Sequence, residues 1–208
     1  IEEQATDVLA AVDHLRSTPG IDPDRIGIIG HSQGGWVVQL AGSLDPDVDF
    51  VISLSGPTVS VREQDSDRVE NDLRCEGASE EEIESELAKL NEKHERNISV
   101  GQWFPFFELR LAANLYQYDP TAAIQGLTQP TLLAFAGFDS MVHNARNLAR
   151  FEEQFPDGAP TNITVHTVPA TDHMFRAAES TCWDYDDAIG NPYSEDFKTY
   201  MAAWVDAL

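Results

Sequence analysis

Lysine is scarce in this sequence and cysteine scarcer. Lysine occurs only at Lys89, Lys93 and Lys198; Lys and Arg together number 13 against 36 Asp and Glu, for a formal net charge of −23. Such a field repels nucleic acid and anionic membrane surfaces, so neither is an expected partner, whereas a neutral or cationic small molecule is. The same imbalance resembles the acidic surfaces of proteins that work in concentrated salt, where screening relieves self-repulsion. Cys75 and Cys182 stand far apart and in no C-x-x-C spacing. A zinc site or a disulfide framework is thereby unsupported, and a single Cys75–Cys182 pairing stays open. No run approaches the roughly 20 apolar residues of a membrane-spanning helix. With 208 residues, 42% of them apolar, one domain with a sizeable core and room for an inserted subdomain is expected.

The chain opens on Ile1 rather than methionine, and residues 1–16 already read as a helix, with Ala5, Val8, Leu9, Val12 and Leu15 at three- to four-residue spacing. A segment is expected to have been lost upstream, so the missing leader says nothing of export. A cytoplasmic location is the weakly favoured expectation, and the Asn-x-Ser/Thr triplets at Asn97 and Asn162 read as chance. Beyond the turn-rich "TPGIDPDR", four apolar runs of strand length follow at 25–29, 49–56, 130–137 and 162–170. Helical patterns lie at 33–44, 143–155 and 195–208. Strands that are apolar throughout and alternate with helices predict an α/β fold: a mostly parallel sheet flanked by helices on both faces.

Residues 57–127 break this alternation, carrying only helical patterns: the acidic 79–97, opened by a Ser79/Glu82 capping box, and the aromatic 100–116. They divide the chain into core (1–56), helical cap insertion (57–127) and core again (128–208). Trp103, Phe104, Phe106 and Phe107 are too many aromatics for an exposed face, so they should pack on the sheet or line a pocket. Trp103, Phe104 and Phe107, with His31, are the candidates for substrate contact.

Between the first strand and the following helix lies Gly30-His31-Ser32-Gln33-Gly34, a G-x-S-x-G pattern placed where a strand must turn sharply into a helix. The flanking glycines remove Cβ atoms that would clash, and Ser32 Oγ is pushed above the carboxyl end of the sheet. The N–H of Gln33, at the positive end of the helix, suits an oxyanion. A serine hydroxyl needs a base, and the base a carboxylate to orient it. In a parallel sheet both belong just past the carboxyl ends of strands, which selects His173 after the fourth run and Asp139 after the third. His14, His94 and His166 sit within helices or a strand, His143 opens a helix, and Asp172 adjoins His173 too closely to face it.

The order Ser32, Asp139, His173 is that of the α/β-hydrolases. "RIGIIGHSQGGW", "VISLSGPTVSVREQ", the helical insert and "YDPTAAI…QPTLLAFAGFDSMV" resemble bacterial serine esterases with a helical cap, of the carboxylesterase and lysophospholipase-like type related to the prolyl oligopeptidase clan. That resemblance implies hydrolysis of a small, neutral carboxylic ester through an acyl-enzyme, with Ser32 as nucleophile, His173 as base, Asp139 as orienting acid, Gln33 in the oxyanion hole, and neither metal nor organic cofactor. A peptidase, thioesterase or acyltransferase of the same fold, and an inert structural fragment, stay open. Two departures stand out. Such enzymes usually carry Gly after the histidine, where this chain has Met174 and Phe175, followed by an acidic loop containing Trp183, Asp184, Tyr185, Asp186 and Asp187. The resemblance also covers only the C-terminal two-thirds of the fold, with the N-terminal strands and the second oxyanion donor absent. The strand at 25–29 would then be an open edge, so an N-terminal segment of roughly 80 to 130 residues, or a second chain, is expected to cover it.

Overall fold

The computed structural model describes residues 1–103, 107–182 and 189–208, the side chains of 107–109 excepted. Four strands, β1 (Ile28–His31), β2 (Val51–Leu54), β3 (Thr131–Ala136) and β4 (Ile163–Val168), pair in parallel and in chain order. Helix α1 (Glu2–Arg16) precedes β1 and α2 (Gln33–Leu44) joins β1 to β2. Between β2 and β3 lie α3 (Val61–Cys75), α4 (Glu80–Trp103), α5 (Phe107–Tyr116) and the short α6 (Thr121–Gly126). Helix α7 (Asn144–Gln154) joins β3 to β4, and α8 (Glu195–Asp206) follows.

Period-two alternation along the strands distributes side chains to two cores. Val51, Leu133, Phe135 and Ile163 point to one face, against Ala5 and Val12 of α1, Val37, Val38 and Ala41 of α2, and Phe151 of α7. Ile52, Leu132, Ala134 and Val168 point to the other, under Phe197, Tyr200, Met201 and Trp204 of α8. Because both faces are covered at β3, all six of its residues are buried, which is why it reads as an unbroken apolar run. Coverage fails at β1. Helix α8 reaches Phe50 and Leu54 beside and within β2 but not Ile29, which is 58% exposed on the edge strand.

Most elements end within two residues of the expected bounds, and two larger differences have a physical reason. The first strand begins at Ile28 rather than 25, since the N–H of Ile26 is taken by the Asp49 carboxylate at 2.6 Å instead of a ladder carbonyl. The break expected between 97 and 100 does not occur: α4 runs without proline to Trp103, two residues before Pro105. The Ser79 capping box forms, with Glu82 Oε2 accepting from Ser79 N at 2.8 Å and Ser79 Oγ accepting from Glu82 N at 3.3 Å. Ser60 and Glu63 make a second one at the start of α3.

Helix α3 is docked to the sheet end along a single face. Gln64, Asp67, Asn71 and Cys75 follow i, i+3, i+7, i+11 spacing and so lie on one stripe. Gln64 Nε2 donates to the carbonyl of Met141 at 2.8 Å, and Arg146 of α7 lies 3.8 Å from Asp67 and 3.2 Å from Glu70. Asn71 Nδ2 donates to the carbonyl of Thr181 at 3.1 Å, and Cys75 is disulfide-bonded to Cys182, the pairing the sequence left open. The inserted helices are therefore tied to the loops that follow β3 and β4.

Candidate active site

Ser32 sits at the junction of β1 and α2 with φ 57° and ψ −122°, outside the conformations an L-residue ordinarily adopts. The surrounding structure holds it there: its N–H donates to the carbonyl of Leu54 at 2.9 Å and its carbonyl accepts from Gly35 N at 2.8 Å. Two glycines make the turn possible. A Cβ at Gly30 would fall on the carbonyl of Gly34, and one at Gly35 on Gly56 Cα and Ser53 Oγ. Gly34 itself faces open space, so the second glycine of the pattern is not required by packing. Gln33 opens α2, and its N–H is among the first of the helix, which have no intrahelical acceptor.

Asp139 and His173 meet above the sheet. His173 Nδ1 lies 2.9 and 2.8 Å from the two carboxylate oxygens of Asp139, and both residues are buried. An ionised carboxylate only accepts, so Nδ1 carries the proton and Nε2 is left with its lone pair, the tautomer a general base requires. Asp139 Oδ1 also accepts from Met141 N at 2.9 Å and Val142 N at 2.8 Å, which fixes the carboxylate independently of the ring. Ser32 Oγ makes no hydrogen bond among the described residues; the segments approach through His31, whose ring centroid lies 4.6 Å from that of His173.

Asp172 serves the loop rather than the ring. Its carboxylate accepts from Met174 N at 2.9 Å, Arg176 N at 2.8 Å and Arg176 Nε at 2.9 Å. The tight turn it closes puts Phe175 at φ 59°, the left-handed conformation that glycine adopts most easily. Phe175 holds it because its buried ring stacks on Phe197 of α8 with centroids 4.2 Å apart. That contact lets a phenylalanine hold the left-handed position two residues after the histidine.

Ser32 and Gln33 lie on the floor of a cavity of about 260 Å³. Its walls come from Trp36 of α2, Gln64, Asp65 and Arg68 of α3, Leu115 and Tyr116 of α5, and Met141 and Val142 beside Asp139. Asp65 is held by Arg68 at 2.9 Å and by the buried His94 at 2.9 Å. Burial pushes its carboxyl up, but the hydrogen bonds from Arg68 and His94 outweigh this and hold it below its ordinary value of 3.8. A larger hollow of about 580 Å³, lined by Arg16, Asp24, Asp47 and Asp49, opens at the opposite, amino end of the strands and holds no nucleophile beside a base.

The substrate-contact candidates fare differently. His31 does not line the cavity; its Nε2 donates to the carbonyl of His173 at 2.8 Å. Trp103 is 83% exposed and away from the cavity. The buried side of α4 carries Ile83, His94 and Gly101, and Trp103, two residues past Gly101, stands roughly 200° around the helix from it. Phe104 and Phe106 lie outside the described residues, as do the side chain of Phe107 and residues 183–188 with Trp183, Asp184, Tyr185, Asp186 and Asp187. Sequence reasoning missed Gln64, Asp65 and Arg68, whose signal was the helical spacing of an acidic segment with no apolar stripe. Among the described residues no group of three or more His, Cys, Asp or Glu side chains is placed to hold a metal ion, and no helix is long and apolar enough to cross a membrane.

A parallel sheet flanked by helices, with a serine in a strained strand-to-helix turn and an Asp–His pair on the loops after later strands, is the architecture of an α/β-hydrolase. Solved structures agree on the fold. The α/β-hydrolase GrgF from a Penicillium species superposes with a TM-score of 0.61 at 16% identity, over 99% of this chain and 71% of that one. An esterase from Pyrococcus furiosus gives 0.56 at 15% identity, over 98% and 61%. In sequence the chain is 26% identical over 163 residues to dipeptidyl-peptidase 5 of Porphyromonas gingivalis, 77% of this chain and 20% of that protein, so it spans about a fifth of that relative's length. The profile of the prolyl oligopeptidase family matches residues 2–189, and the chain belongs to that family.

Proposed function

We propose that the intact protein is a serine hydrolase that cleaves small, neutral carboxylic esters. The observation that carries this reading is the buried Asp139–His173 hydrogen bond, which leaves Nε2 unprotonated, on the rim that also carries the strained Ser32. Ser32 Oγ attacks the ester carbonyl while His173 Nε2 takes its proton, Asp139 holds Nδ1–H, and the N–H of Gln33 donates to the tetrahedral oxygen. The intermediate collapses as His173 returns the proton to the departing alkoxide. Water, activated by the same nitrogen, then releases the acid and restores Ser32. Oγ and Nε2 close to hydrogen-bond distance when substrate binds, as catalytic pairs commonly do.

The cavity supports esters of modest size. At about 260 Å³ it lies below the roughly 300–1,000 Å³ of pockets that enclose drug-sized ligands, and α3 and α5 cap it. The likeness to a dipeptidyl-peptidase favours a second reading, peptide-bond cleavage by the same residues. Labelling the intact protein with a fluorophosphonate tests the shared part: Ser32 Oγ displaces fluoride and forms an Oγ–P bond, and the Ser32→Ala protein stays unlabelled. Rates on matched p-nitrophenyl esters and p-nitroanilides then decide between ester and amide. Absence of labelling at Ser32 overturns both readings.

A further inference from the structure

We infer that His31 is a positioning residue for His173, acting on the backbone of the base rather than on substrate. This rests on the serine-hydrolase reading above. The carbonyl of His173 accepts two hydrogen bonds, from His31 Nε2 at 2.8 Å and from Ser55 Oγ at 3.1 Å. A carbonyl cannot donate, so His31 carries its proton on Nε2. His31 is the last residue of β1 and Ser55 immediately follows β2, so two strand ends clamp the backbone of residue 173 while Asp139, past β3, clamps its ring.

The consequence lies in connectivity. His31 is joined to Ser32 by a peptide bond and to His173 by a hydrogen bond, making one residue the shortest link between nucleophile and base. It thereby ties the position of Oγ to that of Nε2 through the backbone of both residues. Ser55, fully buried at φ 44°, is held in a strained conformation that aims its hydroxyl at the same carbonyl. The charge of the link is also suited to its place. Burial first, and then the neighbouring His173, push the His31 ring toward neutrality, against the pull of the His173 carbonyl, Asp139 and Asp172. When His173 takes the serine proton, the imidazolium faces an uncharged ring at a centroid distance of 4.6 Å rather than a second cation.

The test compares His31→Phe, which fills the space without a donor, with His31→Gln, which restores an N–H, in the intact protein on a small activated ester. Reactive serine is counted by fluorophosphonate. His31→Phe should lose about 100-fold in kcat with KM within twofold, the scale of a roughly 1 Å misplacement, and shift the pH dependence of kcat/KM that reports His173. His31→Gln should recover most of that loss. A raised KM with unchanged kcat would make His31 a substrate contact, and unchanged kinetics in His31→Phe would remove the role altogether. Should His31→Phe fail to fold, Ser55→Ala reads the same carbonyl from its other donor: lowered kcat supports the clamp and unchanged kcat overturns it. If wild-type Ser32 takes no fluorophosphonate, the hydrolase reading fails first; labelled wild type with wild-type-like variants sinks the positioning role alone.

Discussion

At Gly30 and Gly35 the turn has no room for a methyl group, whereas Gly34 has open space around it. Alanine at either crowded position must push strand and helix apart; Gly30→Ala and Gly35→Ala should each lower stability by about 1–3 kcal/mol in urea unfolding. Gly34→Ala should be neutral or stabilising by up to about 1 kcal/mol, because it lies within α2, where alanine is the better helix former. Asp139 makes a different demand. Asp139→Asn keeps the shape but presents an amide N–H or a weaker acceptor to His173 Nδ1, favouring the wrong tautomer. Ester turnover should fall by about 10⁴-fold while the circular dichroism spectrum is unchanged.

Helix α3 is the element on which the site's outer wall depends. Its stripe from Gln64 to Cys75 grips the loops after β3 and β4, while Asp65 and Arg68 face the cavity. The disulfide closes a sequence separation of 107 residues. Removing it with Cys75→Ser and Cys182→Ser together should cost about 2–4 kcal/mol in denaturant unfolding, since long loops recover the most chain entropy when freed. Asp65 gives the same helix a pH dependence. Its folded carboxyl titrates below its ordinary value of 3.8, so its contribution is complete above that value and is lost as pH falls through the folded one. Wild type should lose stability below about pH 4. Asp65→Asn should be less stable at neutral pH and show a shallower acid limb in pH-dependent thermal unfolding, because Arg68 and His94 lose their charged partner.

Over the whole molecule the dominant electrostatic fact is the net charge of −23 on 208 residues. Acidic side chains outnumber their partners even where ion pairs form, as at Arg74, which serves both Glu70 and Glu80. Screening shortens the reach of this repulsion from about 10 Å at 0.1 M salt to about 3 Å at 1 M. The melting temperature should therefore rise from low to molar salt, and a flat profile would show that the repulsion does not limit the fold. The four-stranded sheet has its own asymmetry: β3 is covered on both faces while β1 leaves an open edge with Ile29 exposed.

The amino-acid order by itself determined the four strands and the helices that join them in the core, the strained turn around Ser32 and the candidate roles of Asp139 and His173. Each rests on relations that are local or nearly so: apolar period, glycine beside serine, a polar residue just past a strand. Tertiary structure decided the rest. Cys75 found Cys182, and Asp65, Arg68 and His94 came to line or support the cavity, while Trp103 turned to solvent. Phe175 holds a left-handed backbone beneath the ring of Phe197, which arrives from α8. These outcomes depend on the angle at which distant elements pack and on which face of a helix meets the sheet, quantities that no spacing along a single segment encodes.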